Sequence, residues 1–547
     1  MRKLLIGLLG YTFVSQQMVA QTDSIASTHE LKNVVVRATN GIKLKYRVDN
    51  AEIIGQGQLV RAACCNLGES FTANPSVDVS YSDAATGAKQ IKLLGLSGTY
   101  VQMLTENIPN LRGASLPYSL GYVPGPWMQS IQVSKGASSV KNGYESTTGQ
   151  INIEFLKPQG TDGIRANIYQ DNELKTEVNL DGSTHLNNRL STATLLHFEN
   201  RQTDHDGNGD GFMDMPKLRQ YNIMHRWAYV SPRWISQLLV RGLHDDRKGG
   251  QSMKHANSAS SEPLYTTSVK TNRYEMQWKN GFTLDADHNT SIALMLHGSW
   301  HDGDNRFGST QYDVTQKNGY AQLMFETDIT EHHNISVGTS VNHDYYNERF
   351  NAQGTLQQGK RQVTKETTPG IYAQYTYKQG EKLTVMPGVR WDHSNLYGSF
   401  FTPRLHIKYA PSDMITLRTS IGKGYRSPHA LAENVSLLAS GRDVFVDSNL
   451  KQEEAWNMGV SAGMNIPLFG KNLELNAEYY YTDFKHQMIV NFDGAKGEHT
   501  LSFENLDGKS YSHTFQVDAT YPLFSGMSAT AAFRLNDVKS AYDGVLR

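Results

Sequence analysis

Phe401-Thr402-Pro403-Arg404-Leu405-His406-Ile407-Lys408-Tyr409 is the stretch on which the fold turns. Phe401, Pro403, Leu405, Ile407 and Tyr409 share one face of an extended chain, and Thr402, Arg404, His406 and Lys408 share the other. Strand side chains alternate sides, so this ribbon separates an apolar medium from a polar one. The pattern recurs. Leu383, Val385, Pro387, Val389 and Trp391 oppose Thr384, Met386, Gly388, Arg390 and Asp392. Leu473, Leu475, Ala477, Tyr479 and Tyr481 oppose Glu474, Asn476, Glu478, Tyr480 and Thr482. Each window is about ten residues, the span of a tilted membrane strand rather than the usual five or six. Trp227, Trp391, Tyr409 and Tyr479 fall near window ends, as an interfacial girdle requires. A soluble sandwich shares the alternation, with its oily faces turned inward. Strand length and girdle favour an all-β transmembrane barrel over residues 163–547. At roughly 23 residues per strand with its connection, that length supplies about 16–17 strands.

The rest of the chain agrees with a membrane destination. It has 547 residues, a formal net charge of −1, 38% hydrophobic and 19% charged residues. Near-neutrality excludes a strongly basic nucleic-acid binder, and two adjacent cysteines, Cys64 and Cys65, exclude a disulfide framework. Met1-Arg2-Lys3, the apolar run 4–14 and Ala20 read as a secretory signal peptide over residues 1–20. That run is too short to span a bilayer as a helix, and no later stretch is long enough. Residues 21–45 form a polar leader containing one β-branched run, Leu31-Lys32-Asn33-Val34-Val35-Val36-Arg37. Residues 46–158 read as an α+β domain with short strands near 77–79, 90–94, 101–105, 128–133 and 150–155. A helix is expected over 59–73, stopped by Pro75.

In this order, the motifs resemble the TonB-dependent outer-membrane receptors. Leu31 to Arg37 is similar to a Ton box. The segment Val133-Ser-Lys-Gly136 through Gly149-Gln-Ile-Asn-Ile153 is similar to the closing motif of the family's plug domain. Thr402-Pro403-Arg404-Leu405, Gly424-Tyr425-Arg426-Ser427-Pro428 and Asn449-Leu450-Lys451-Gln452-Glu453 resemble motifs of its middle barrel strands. The likeness covers residues 31–547. It implies a 22-stranded barrel with the N-terminal domain as a plug in the lumen, so this chain reads as C-terminally incomplete. It also implies an outer-membrane location and energised import of a scarce bulky ligand: a ferric siderophore, haem, cobalamin or a transition-metal complex such as copper. TonB, through residues 31–37, is the implied energising partner, and a surface lipoprotein a further one. A wide lumen must be blocked to exclude toxins, and an extended leader can receive force by adding a strand to a partner's sheet.

Two motifs carry chemistry of their own. Asp204, Asp206, Asn208, Asp210 and Asp214 place oxygen ligands at alternate positions around Gly209 and Gly211, as in a loop wrapping Ca²⁺. The twelfth position from Asp204 is Met215, so the bidentate Glu of an EF-hand is missing, and a solvated turn-rich loop remains the alternative. Cys64 and Cys65 could ligate a soft metal with Met103, Met128, Met213 or Met215, as the metal-handling branch of the family suggests, or be two small buried residues on the plug's first helix. His301, His332, His333, His343 and His393 could capture haem or metal, or simply line loops and lumen. No catalytic residue and no organic cofactor is expected, because no hydrolase triad, P-loop, HExxH or Rossmann pattern sits in a supporting context. The competing function is a passive porin or β-barrel adhesin, which needs neither a Ton box nor a plug. A secreted glycan-binding β protein is a third reading.

Overall fold

The computed structural model describes residues 42–43, 47–61, 65–72, 74–160, 163–252, 263–352, 360–492, 499–524, 526–542 and 545–546. Residues 1–20, the segment Leu31–Arg37 and Cys64 lie outside these.

The N-terminal domain is built on a mixed sheet in which Asn50–Gly55, Met128–Lys135, Gly149–Phe155 and Val101–Thr105 lie side by side. Val101–Thr105 runs parallel to Gly149–Phe155. A smaller sheet joins Val77–Asp83, Ala88–Leu93 and Leu96–Ser97. Leu67, Phe71, Leu93, Trp127, Ile131 and Ile153 form the core between them. Among the described residues the expected helix over 59–73 is not continuous. A six-residue helix, Gln56–Arg61, and a single 3₁₀ turn, Glu69–Phe71, take its place. The backbone between them pairs with a distant segment instead. Leu67 N–H donates to Val123 O at 3.0 Å, and Gly125 N–H donates to Cys65 O at 2.9 Å. Cys65 therefore sits after the helix, not on it.

From Gly163 onward the chain forms one sheet of eighteen strands, each antiparallel to the next, the last only two residues long. Its order runs from Gly163–Gln170 at one edge to Val545–Leu546 at the other, and among the described residues no pairing joins those edges. Strands are longer than the ten residues expected: Thr290–Phe307 has 18 and Thr310–Thr330 has 21. The reason is visible on Thr290–Phe307. Its outward residues are apolar from Ile292 through Leu294 and Leu296 to Trp300, then charged at Asp302, Asp304 and Arg306. The neighbour Thr266–Asp285 repeats this, with Lys270 and Asn272 giving way to Tyr274, Met276, Trp278 and Phe282. The alternating windows thus mark only the lipid band, and each strand continues beyond it into water.

Connections at one end are all short, such as 231–233 and 469–470, whereas the other end carries the long ones, such as 202–216 and 427–452, beside tight turns at 308–309 and 395–397. In outer-membrane barrels the short turns face the periplasm and the long loops the exterior. The charged upper halves lie on the long-loop side. Among the described residues no helix is long and apolar enough to cross a membrane, which says nothing of strands.

Candidate functional site: the plugged bore and its cap

The bore is filled. Inward residues such as Gln220, Asn222 and Arg241 are polar yet buried, because the N-terminal domain packs against them through the carbonyls of Gly121 and Tyr122. Buried polar groups need partners, so the contact is a set of specific pairings.

The deepest is Glu106. It and Asn107 are the two corner residues of a hairpin between Val101–Thr105 and Ile108–Pro109, with φ of 52° and 66°. Left-handed values at both corners are those of a type I′ turn. The carboxylate meets Arg226 Nη1 at 2.9 Å, Lys157 Nζ at 2.9 Å and Lys279 Nζ at 3.1 Å. Burial pushes the Glu106 carboxyl up, but Arg226, Lys157 and Lys279 overcome it and hold the group well below the usual carboxylate range. A second contact lies where the leader enters. Asn50 Nδ2 donates to Glu478 Oε2 at 2.7 Å and to Tyr480 Oη at 2.8 Å, and Lys135 pairs with the same glutamate. Arg418 Nε donates to Arg47 O at 3.2 Å. A pull on the leader therefore meets the pairing of Ile42–Lys43 with Glu52–Ile53 first, and then the wall contacts of Arg47 and Asn50.

The motifs that carry the family resemblance converge. Arg404 of Thr402–Leu405 donates to the carbonyls of Ser138 and Ser139 at 3.0 Å and of Tyr144 at 3.2 Å, all within the plug's closing segment. Gly424 faces the same segment. A Cβ there would lie 2.6 Å from Thr147 Oγ1 and 2.9 Å from Ser146 O, so only glycine admits the plug backbone so close. Arg426 pairs with both Glu433 and Glu453, and Glu453 accepts from Tyr100 Oη at 2.9 Å. Two wall motifs thus grip the plug's closing segment, and the third, through Glu453, holds Tyr100 elsewhere on the plug. None of this pairing could be read from sequence, which shows the residues but not which carbonyls they meet.

Above the plug, residues 427–446, 488–492 and 499–505 fold into a cap. Val435, Leu438, Val444, Leu501 and Phe503 are buried there with the wall residues Phe307, Tyr312 and Phe350 and the plug residues Ala114, Tyr118 and Tyr122. Within it, Asp443–Val446, Thr500–Asn505 and Met488–Asn491 form a small sheet. The sequence reading missed this cap; its signal is a run of aliphatic residues, Val435 to Leu438 and Val444 to Val446, in what should be a polar loop. Between plug and cap lies a polar pocket of about 30 Å³, one water's share of volume, bordered by Arg112, Glu145, Arg426, His429 and Glu433. Arg112 bridges Glu145 at 2.6 Å and the wall residue Asp344 at 3.0 Å. Burial pushes the Glu145 carboxyl up, with Arg112 opposing.

The remaining expected site residues are not gathered. In the 204–214 loop the acidic oxygens accept from the loop's own amides. Asp206 receives Gly209 N–H at 2.8 Å and Gly211 N–H at 2.9 Å, Asp210 receives Phe212 N–H at 2.8 Å, and Asp214 receives Gly207 N–H at 2.8 Å. Asn208 accepts from Asp210 N–H at 3.0 Å, and Asp204 from Ser252 Oγ at 2.6 Å. Among the described residues no three His, Cys, Asp or Glu side chains gather as a metal site. Cys65 is buried near Glu177, Lys175 and Glu69, and burial pushes its thiol up, away from the thiolate a soft metal needs. His301 is buried in the bore, whereas His343 and His393 face outward and His332 lies in a short turn.

Comparison with known proteins gives this geometry a place. The family model described as "TonB dependent receptor-like, beta-barrel" matches residues 114–545. The chain belongs to this family. A ferric enterobactin receptor of Pseudomonas aeruginosa is 24% identical over 169 residues, 27% of this chain and 22% of that protein. The alignment thus spans about a fifth of that relative's length. A crystal structure of the ferric enterobactin receptor PfeA in complex with BCV-L6 superposes with a TM-score of 0.69 at 14% identity, covering 90% of this chain and 81% of the other. The siderophore receptor PirA of Acinetobacter baumannii gives 0.65 at 16% identity, covering 90% and 80%. At such identities these likenesses establish the fold of the receptor: a strand-built barrel around an N-terminal plug.

Proposed function

We propose that this receptor imports a scarce, bulky ligand, of the ferric siderophore class, across the outer membrane with energy supplied by TonB. The carrying observation is a bore filled by a folded domain that is held to its wall by buried polar pairs set among separate apolar patches, such as Ile108 with Met295 and Tyr320, and Tyr144 with Phe400 and Tyr425. Such a contact excludes solutes at rest, yet water can replace each pair as it parts, so a directed pull can loosen it stepwise. The leader joins the plug sheet at Ile42–Lys43, and the wall contacts of Arg47 and Asn50 with Arg418, Glu478 and Tyr480 follow directly and share the load. Residues Leu31–Arg37 are the proposed TonB-binding strand. The ligand class follows that of the relatives, which are siderophore receptors. A passive porin gains nothing from a plug and a cap.

Between plug and cap the space narrows to a pocket of about 30 Å³, so a bulky ligand that enters there requires the cap to move. Deleting residues 31–37 is expected to abolish accumulation of a labelled ferric siderophore while surface binding persists. Accumulation that survives the deletion overturns the energised reading. Loss of binding together with uptake would place residues 31–37 in ligand recognition instead.

A further inference from the structure

We infer that the pocket between plug and cap selects for positive charge: its ligand is a ferric complex bearing an ammonium group, not a polyanionic one. The inference rests on the proposed import of a ferric siderophore, and it names the charge that this site accepts. The pocket has more carboxylates than its cations can match. Arg112 is shared by Glu145 at 2.6 Å and Asp344 at 3.0 Å, and Arg426 is shared by Glu433 and Glu453. A fifth carboxylate, Glu366, accepts from Ser394 Oγ at 2.6 Å and from the pocket-lining Ser427 Oγ at 2.9 Å. Among the described residues it meets hydroxyl groups and no cation. Two guanidinium groups thus serve five carboxylates, three charges short of balance, and His429 at the rim adds at most one.

Asp344, Glu366 and Glu453 are buried, where an unmatched charge is costly. Burial pushes the Glu145 carboxyl up, Arg112 opposes it, and Asp344 and Glu366 add to the rise. An entering cation relieves this excess, and an entering anion enlarges it. A second observation does not depend on charge. Tyr346 Oη is buried without a hydrogen-bond partner, and its ring stacks on His429 at 4.1 Å. It points at Gly113, a pocket-lining residue where a Cβ would collide with the phenol oxygen. That oxygen is an idle acceptor for an N–H group.

The cap is latched by the same charges. Glu433 ends the short cap helix Ala430–Glu433, and Arg426 ends the wall strand Ile415–Arg426. Lifting the cap parts this pair. A ligand cation beside Glu433 takes over from Arg426, which keeps Glu453. An anion at Arg426 would have to displace both carboxylates and leave each without its partner. The approach has the same sign. The connections 171–175, 202–216, 251–265, 427–452 and 487–509, all at the long-loop end, carry fourteen Asp and Glu against six Lys and Arg. The whole chain, by contrast, has 53 against 52. A mouth of one sign concentrates ligands of the other.

The test uses the full chain in detergent and three radio-iron complexes. One is a linear ferric trihydroxamate with a free primary ammonium group, the second is the same molecule with that amine acetylated, and the third is a triply anionic ferric tris-catecholate. The ammonium complex is expected to bind at least about tenfold tighter than its acetylated form, with the catecholate weakest. High salt should narrow the first difference. Glu366→Gln keeps an acceptor for the two serine hydroxyls but removes the charge, and should narrow it by at least about threefold. Equal affinity for the first two complexes, tightest binding of the catecholate, or a difference unaltered by Glu366→Gln overturns the inference. Assembly of the variant is checked by heat-dependent gel mobility; should it fail to assemble, the ranking in the parent protein decides alone. Absence of binding by all three complexes also overturns it, and the import reading then stands or falls separately, on accumulation that depends on residues 31–37.

Discussion

The two faces of the strand Thr290–Phe307 obey different rules. Outward, Ile292, Leu294, Leu296 and Trp300 meet a featureless solvent, and any aliphatic residue would serve. Inward, Ser291, His297, His301 and Asn305 are each buried in a distinct surrounding, with Asn305 Nδ2 donating to Tyr312 O at 3.0 Å. A face that touches lipid is written in composition; a face that touches a folded domain is written in partners. Substitutions that confuse the two faces test this difference.

The largest effect is expected on the inner face. Glu106→Ala leaves Arg226 and Lys279 buried without their counter-charge, which costs about 3–5 kcal/mol. Amide exchange in Val101–Thr105 should accelerate accordingly, while the barrel strands keep their protection. The same pairing gives a pH signature. Because the folded Glu106 carboxyl is held below its ordinary value of about 4.3, its stabilisation is complete above that pH and is lost as pH falls through the folded value. Plug protection should thus decline under acid, and Glu106→Gln should flatten that decline. An unchanged acid limb in Glu106→Gln would assign the decline to other carboxylates.

On the outer face, Leu296→Arg at the middle of the apolar band should destabilise the barrel by about 2–4 kcal/mol in a detergent or bilayer refolding titration. A charge tolerated there would mean that this face does not meet lipid. At the band's upper edge the two rules meet. Lys317 Nζ lies 5.1 Å from the Trp300 ring and 5.9 Å from that of Tyr345, with its stem along the wall. Lys317→Ala should cost only about 0.5–1 kcal/mol in the same titration. The smallest effect belongs to the 204–214 loop, which lies beyond both faces. Asp206→Ala frees the amides of Gly209, Asp210 and Gly211 and should raise their exchange rates. Because those carboxylate oxygens are already occupied by amides, chelation with EDTA should leave the parent loop's exchange unaltered; slowing on Ca²⁺ addition would reinstate the cation reading.

The same contrast explains what could be read in advance. Alternation at 383–391, 401–409 and 473–481 exposed the barrel because one medium wets every outward residue alike. It misled on strand length, because above Trp300 both faces are polar and the period fades although the strand continues. Inside, Arg404 and Gly424 were recognisable as motif members, yet their contact with the closing segment depends on residues more than 250 positions away, Arg404 to Ser138 for example. The helix expected over 59–73 failed for a related reason: long-range pairing of Leu67 with Val123 outweighed local propensity. The cap was invisible because its aliphatic residues have no periodicity, only a destination.

The uneven strand lengths leave the rim aslant. From Trp234–Gly250 to Lys360–Gln379 the wall rises well past its upper aromatic row, whereas Leu383–Ser394 stops three residues beyond Trp391. Phe307 stands seven residues beyond Trp300, so the excess of four residues on a tilted strand amounts to a parapet of about 10 Å on one flank. A particle arriving from the tall side, whether an antibody or a phage tail, meets a polar palisade before any part of the gate. The low side is the natural approach, and the doorway is turned toward it.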